Sequence, residues 1–290
     1  MKAYIVLIVG VLSVSFAAIF IRLAEAPPLV IAAYRLTIAS LILIPIASRR
    51  SMKSLKTLSK HDGFLILLSS VFIALHFGLW ITSLSYTSIA SSVILVTSHP
   101  AFVAVISYFL WRERLNKLTI GGIVVALIGI ILINYGGFTF GSRAIFGDLL
   151  ALVAAFAMGA YLIIGGQLRA RIDILAYLTL IYSGAAVILL IATVSFGYSF
   201  TGYSPTTYVM MVLLAIVPQL IGHSCLNLAV RLIPVTFVSV AILGEPVGAT
   251  ILGYFILSET PTTNEIVGGL LILAGIFTVL RQPPKYLGMR

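Results

Sequence analysis

The chain is 290 residues long, 61% hydrophobic and 9% charged, with a mean hydropathy of +1.17. A soluble domain carries about 25% charged residues. This chain cannot coat a water-facing surface, and an all-α integral membrane protein is expected. The net charge of +10 comes from basic residues placed between apolar runs. That arrangement suits an anionic membrane leaflet and argues against nucleic acid as a partner.

Ten apolar stretches are candidates to cross the membrane as helices, near 3–22, 28–48, 63–85, 88–111, 118–136, 147–167, 174–197, 206–230, 233–257 and 264–281. Each approaches the length needed to span about 30 Å of hydrocarbon. The first follows a lone lysine and outruns the apolar core of a signal peptide, so it reads as a retained span. The second holds Arg35 close enough to one end for its head to snorkel outward. Its guanidinium either meets a substrate carboxylate or binds backbone carbonyls of a neighbouring helix. The third sets Ser69, His76, Trp80 and Ser83 on one face. An aromatic beside polar groups is a common lining for an organic solute, and hydrogen bonding between helices is the plainer alternative.

The fourth stretch carries His99-Pro100 near its middle. Proline has no N–H, so the Val96 carbonyl loses its helical partner. The fifth presents Gly121, Gly122, Ala126 and Gly129, a small-residue face for close packing. In the eighth, Gln219, His223 and Asn227 are spaced by four along one face, which should point inward. The ninth holds Glu245-Pro246 amid about 25 mostly apolar residues, and Pro246 deprives the Ile242 carbonyl as Pro100 does Val96. An unpaired carbonyl at membrane depth is tolerated only against protein or a wet cavity. An ionised acid there costs a few kcal/mol unless paired, hydrated or protonated. A cavity near the midplane is therefore expected, against the plainer reading of two structural kinks and a neutral acid. The tenth stretch has Gly268, Gly269 and Gly275, and "GEPVG" is itself a G-x3-G. These faces read as close packing, with a homodimer contact as a further use.

Lys and Arg in the connections set the orientation. With the N-terminus in the cytoplasm, 15 basic residues fall on the cytoplasmic side, from Lys2 through Arg49, Arg112, Arg169 and Arg231 to Arg290. Only Arg22 and Arg143 fall outside, and Arg35 is left within a span. Both termini are expected to be cytoplasmic.

The chain also repeats. "SHPAFVAVISYFLWRE" (98–113) aligns with "GEPVGATILGYFILSE" (244–259) at an offset of 146 residues. At that offset "ASLIL" (39–43) meets "AAVIL" (185–189), and "GGIVVALIGI" (121–130) answers "GGLLILAGIF" (268–277) with a slip of one. His76 and His223 are equivalent to within one residue. Two halves of five spans follow, 1–136 and 147–282, with a cytoplasmic tail at 283–290. Because five is odd, the halves are inverted relative to each other, a hallmark of secondary transporters. Glu113 and Glu259 end the aligned motifs and are expected to cap the turns into the fifth and tenth helices.

Ten spans in two halves, each ending P-x12-E before a glycine-rich helix, resemble the EamA-type branch of the drug/metabolite transporter superfamily. The resemblance implies a carrier of small organic metabolites, amino acids among them, often working outward. It also implies a cavity built by the first four helices of each half, with the fifth at the periphery. On this reading His76, Trp80, His99, His223, Asn227, Glu245 and Arg35 bind substrate, and Pro100 and Pro246 break helices. Glu245 and the histidines could exchange protons as the coupling ion. No cofactor and no enzymatic activity are expected. The sequence lacks G-x4-G-K-[ST], H-E-x-x-H, C-x-x-C and G-x-S-x-G, and its single Cys225 excludes an intrachain disulfide. A non-transporting scaffold or sensor, a lipid-acting enzyme, and a same-fold carrier of lipid-linked or sugar substrates are the alternatives.

Overall fold

Apolar runs of this length satisfy their own backbone only as helices. The structure, a computed structural model, describes residues 2–51, 57–111, 115–133, 135, 141–169, 171–258 and 260–281. Among these residues it is all helical. The first half holds α1 (Lys2–Leu23), α2 (Pro28–Arg50), α3 (Lys60–Ser83), α4 (Ile89–Val96), α5 (His99–Trp111) and α6 (Lys117–Ile133). The second holds α7 (Ser142–Arg169), α8 (Ile174–Ser195), α9 (Pro205–Leu214), a π-helical segment (Ala215–His223), α10 (Ser224–Leu232), α11 (Val235–Ile242), α12 (Glu245–Leu257) and α13 (Thr263–Leu280). Among the described residues nine helical stretches are long and apolar enough to cross a membrane, and Lys117–Ile133 is a shorter apolar helix. Glu113, Glu259 and the 283–290 tail lie outside the described residues.

Local chemistry sets the ends. Pro28 opens α2, where a missing N–H costs nothing. Capping boxes start α3 (Ser59 with Asp62) and α13 (Thr262 with Glu265). The first of these moves the start of α3 ahead of the apolar run. Asp173 and Ser204 cap α8 and α9.

The expected fourth and ninth spans are each split. The chain leaves the helix at Thr97–Ser98 and at Leu243–Gly244, and resumes at His99-Pro100 and Glu245-Pro246. The expected eighth span is not a uniform α-helix. Its middle, around Pro218, is wound as a π-helix of 9 residues.

The packing has a regular pattern. α2 lies against α8, α6 against α13, α1 against α9, the π segment and α10, and α7 against α3. Of the split spans, α12 lies against α1, and α4 and α5 against α7. The start of α2 meets the end of α8, where Thr193 Oγ1, which donates at 2.7 Å to the Leu189 carbonyl of its own helix, lies 3.2 Å from the Leu29 carbonyl. The end of α2 meets the start of α8, where Ser51 donates to Asp173. α2 and α8 therefore run antiparallel.

α6 and α13 cross the same way. A Cβ on Gly122 would lie 2.8 Å from the Gly275 carbonyl oxygen, and one on Gly129 would lie 2.5 Å from that of Gly268. Only glycine lets the two backbones approach so closely. These glycine faces are thus used up against each other within one chain. Gly122, Gly129, Gly268 and Gly275 are covered in this way, whereas Gly121 has open space around it.

Candidate functional site

Where the two split helices meet the rest of the bundle there is a cavity of about 430 Å³. Its deep end is lined by Arg35, His76, His99, His223 and Glu245, with Trp80 along one wall. It continues past Arg22 at the end of α1, Leu84 just after α3, and Thr260, Pro261 and Glu265 before and within α13. All of these belong to one end of the bundle, the mouth end. None of the residues near the opposite, closed end, such as Ser51, Asp62 or Asp173, is among the lining.

Each deep group is held by a traceable cause. Arg35 is 1% exposed and does not snorkel outward as its position near a helix end suggested. Its Nε donates to Gln219 Oε1 at 2.7 Å, and its Cζ sits 4.0 Å from the Phe77 ring centroid. Nη1 and Nη2 are buried with no hydrogen-bond partner among the described residues. A guanidinium fixed through Nε and an aromatic face keeps its two Nη donors for a planar, bidentate acceptor.

Histidine orientation follows from the backbone. Pro100 leaves the Val96 carbonyl without a helical donor, and His99 Nδ1 donates to that carbonyl at 3.3 Å. His76 Nδ1 donates to the Ala154 carbonyl at 3.0 Å. In the neutral His76 ring Nδ1 is then the protonated nitrogen and Nε2 is left as the acceptor, whereas the His99 ring also faces the Ser239 carbonyl. The His76 ring lies 6.0 Å from Trp80 at 19°, a stacked pair that forms one flat wall. His223 packs edge-on to Phe77 at 5.2 Å.

Glu245 is the first residue of α12, so the break at Leu243–Gly244 gives this acid a helix N-terminus at membrane depth. The partial positive charge there favours a carboxylate. Glu245 makes no hydrogen bond or ion pair among the described residues. It lines the same cavity as Arg35.

Not every expected group reaches the cavity. Asn227 is buried below it, accepting from Tyr161 Oη at 2.8 Å and donating Nδ2 to the His223 carbonyl at 2.6 Å. Pro100 is not among the lining residues, whereas Pro246 is. Among the described residues no group of three or more His, Cys, Asp and Glu side chains could hold a metal ion. Sequence reading missed the roles of Phe77 and Gln219, the grips on Arg35. Gln219 was visible as part of the polar stripe, but Phe77 carries no signal that separates it from any core phenylalanine. It also missed Arg22 and Glu265 at the mouth, which read as ordinary flanking charges.

Comparison with known proteins adds the relationship. Residues 1–135 and 145–281 each match the EamA-like transporter family. An uncharacterized transporter of Clostridium kluyveri is 25% identical over 247 residues, 82% of this chain and 78% of that protein. The uncharacterized transporter YdfC of Bacillus subtilis is 24% identical over 276 residues, 95% of this chain and 89% of that protein. A solved crystal structure superposes with a TM-score of 0.82 over 96% of both chains at 19% identity, which shows a shared fold.

Proposed function

The chain belongs to the EamA-like transporter family, and from that premise we propose that it is a secondary carrier of neutral amino acids working by alternating access. The single observation that carries the substrate class is the pairing of charges in one cavity. Arg35 offers two Nη donors with no partner among the described residues, and Glu245 lines the same cavity with no hydrogen bond or ion pair among them. One fixed cation and one fixed anion suit a zwitterion, the carboxylate on Arg35 and the ammonium on Glu245. The His76–Trp80 wall accepts an apolar or aromatic side chain.

We read the two matched segments as inverted halves, 1–136 and 147–282. The support is in the contacts. Gly122 meets Gly275 and Gly129 meets Gly268, while 122 and 268, and 129 and 275, are equivalent at the 146-residue offset. Such exchanged pairs are what a two-fold axis produces. The partnerships of α1 with the eighth span and of α7 with α3 are exchanged in the same way. The halves rock about the midplane breaks, with the mouth end open in the present conformation.

The excess of Lys and Arg around the closed end supports cytoplasmic termini in the cytoplasmic membrane, with the mouth facing outward. Export is the direction favoured by family resemblance. Without a nucleotide-binding motif, the energy comes from an ion or solute gradient, and Glu245 carries the coupling proton. The test is uptake of labelled leucine, phenylalanine and threonine, supplied together, into proteoliposomes with and without a pH gradient. The parent protein should respond to the gradient, and Glu245→Gln should not. Gradient-driven uptake that survives in Glu245→Gln removes the proton role.

A further inference from the structure

Below the floor of the cavity the structure holds a second arginine that the site does not use. Arg169 closes α7 and is 0% exposed. Arg171, two positions on, is 56% exposed and pairs with Asp62 at 3.1 Å. A long cationic side chain this near to water normally extends into it. Arg169 instead turns back into the protein. Its Nη2 makes two long contacts, 3.4 Å to the Leu162 carbonyl and 3.4 Å to Tyr177 Oη. Its Cζ lies 5.0 Å from the Tyr177 ring and 5.7 Å from the Tyr161 ring, near the outer limit for a cation over an aromatic face. Nε and Nη1 are buried with no partner among the described residues, and no carboxylate pairs with it there.

The space it occupies is built for it. A Cβ on Gly165 would run into Arg169 Nη2 and Tyr177 Oη. The C-terminus of α7 supplies a favourable dipole, but that would serve a solvent-facing arginine as well. Arg169 also stands in line with the site. From the cavity floor at His223 a chain of polar contacts runs through Asn227 to Tyr161 Oη, and Tyr161 flanks the guanidinium. Ser69 Oγ lies 3.5 Å from Tyr177 Oη on the far side. A buried cation with free donors, weak contacts and no counter-ion is an expensive arrangement, and it is balanced when a carboxylate arrives.

We propose that Arg169 is a second carboxylate-binding group. It is masked by Tyr161 and Tyr177 while the mouth end is open, and it receives the substrate carboxylate when the opposite end opens. Arg35 and Arg169 are then successive stations for one anionic group. The inference rests on the zwitterion reading of the cavity.

The test measures half-saturation for the leucine, phenylalanine and threonine mixture from each face of oriented proteoliposomes, with the corresponding amides as a carboxylate-free control. Arg169→Gln should raise half-saturation from the closed-end face by about tenfold and leave the mouth-end value unchanged. Arg169→Lys should recover part of the loss. Gly165→Ala, whose added Cβ would crowd the guanidinium and Tyr177 Oη, should act like Arg169→Gln, and the unchanged mouth-end value guards against a simple folding defect. The amides should be indifferent to all three changes. Closed-end half-saturation that stays constant in Arg169→Gln overturns the proposal, as does an equal change at both faces or an equal change for acids and amides. A parent protein that carries none of the three amino acids overturns the zwitterion reading and this inference together, so the two failures are told apart by the parent alone.

Discussion

At the scale of single residues, what decides a side chain's role is which of its polar atoms are already spoken for. Arg35 is committed through Nε and free at Nη, Asn227 is committed at both ends, and His99 spends Nδ1 on a carbonyl that Pro100 orphaned. Arg35→Lys should therefore be no conservative change. Lysine keeps the charge but loses the fork and the hold on Gln219, and half-saturation for the amino-acid mixture should rise by roughly tenfold. Wild-type affinity in that variant would remove Arg35 from carboxylate binding. A second residue-scale test lies outside the spans. Burial works against ionised Asp173, but the Ser51 hydroxyl and the N–H groups of Ala176 and Leu175 hold its carboxyl below the usual aspartate range. Its stabilising effect is then complete above the unfolded value of about 4 and is lost as pH falls through the lower folded value. The melting temperature of Asp173→Ala in detergent should fall short of the parent at neutral pH and approach it in acid. A deficit independent of pH would assign Asp173 a purely steric role.

At the scale of elements, prolines and glycines made much legible. Pro100 and Pro246 mark the two breaks because a missing N–H is a property of the residue itself. The starts of α3 and α13 were also available in Ser59–Asp62 and Thr262–Glu265, and reading by hydropathy alone passed over the first. The π segment was not legible. It differs from an α-helix by the choice of carbonyl partner, which the surrounding packing decides, and Pro218 alone does not announce it. The glycine crossing of α6 and α13 was visible as two small-residue faces, but their partner was not. Sequence cannot say whether such a face meets its own chain or another copy. Gly129→Val should force the backbones apart and cost about 1–3 kcal/mol, read as a lower melting temperature in detergent. Gly121 has open space around it, and Gly121→Ala should leave the melting temperature unchanged. Equal effects from the two would mean that α6 and α13 do not pack through this face.

At the scale of the whole molecule, the apolar helices and their approximate boundaries followed from hydropathy, although among the described residues nine are long enough to cross and Lys117–Ile133 is shorter, and the 146-residue offset followed from repeated motifs. Which spans touch did not, because contacts between α1 and the eighth span, or α3 and α7, join segments far apart in the chain. The site was half legible for the same reason. Polar stripes on α3 and the eighth span showed which faces turn inward. The grip of Phe77 and Gln219 on Arg35, and the burial of Arg169, arise only when three helices come together. The account that results is a membrane carrier whose midplane cavity holds a zwitterion between Arg35 and Glu245. Its most direct test is saturable uptake of the twenty labelled amino acids, each alone, into proteoliposomes of the parent, Arg35→Gln and Glu245→Gln proteins. The account expects saturable uptake of neutral amino acids by the parent, lost or strongly weakened in both variants. Uptake of none of them, or uptake untouched by either substitution, would contradict it.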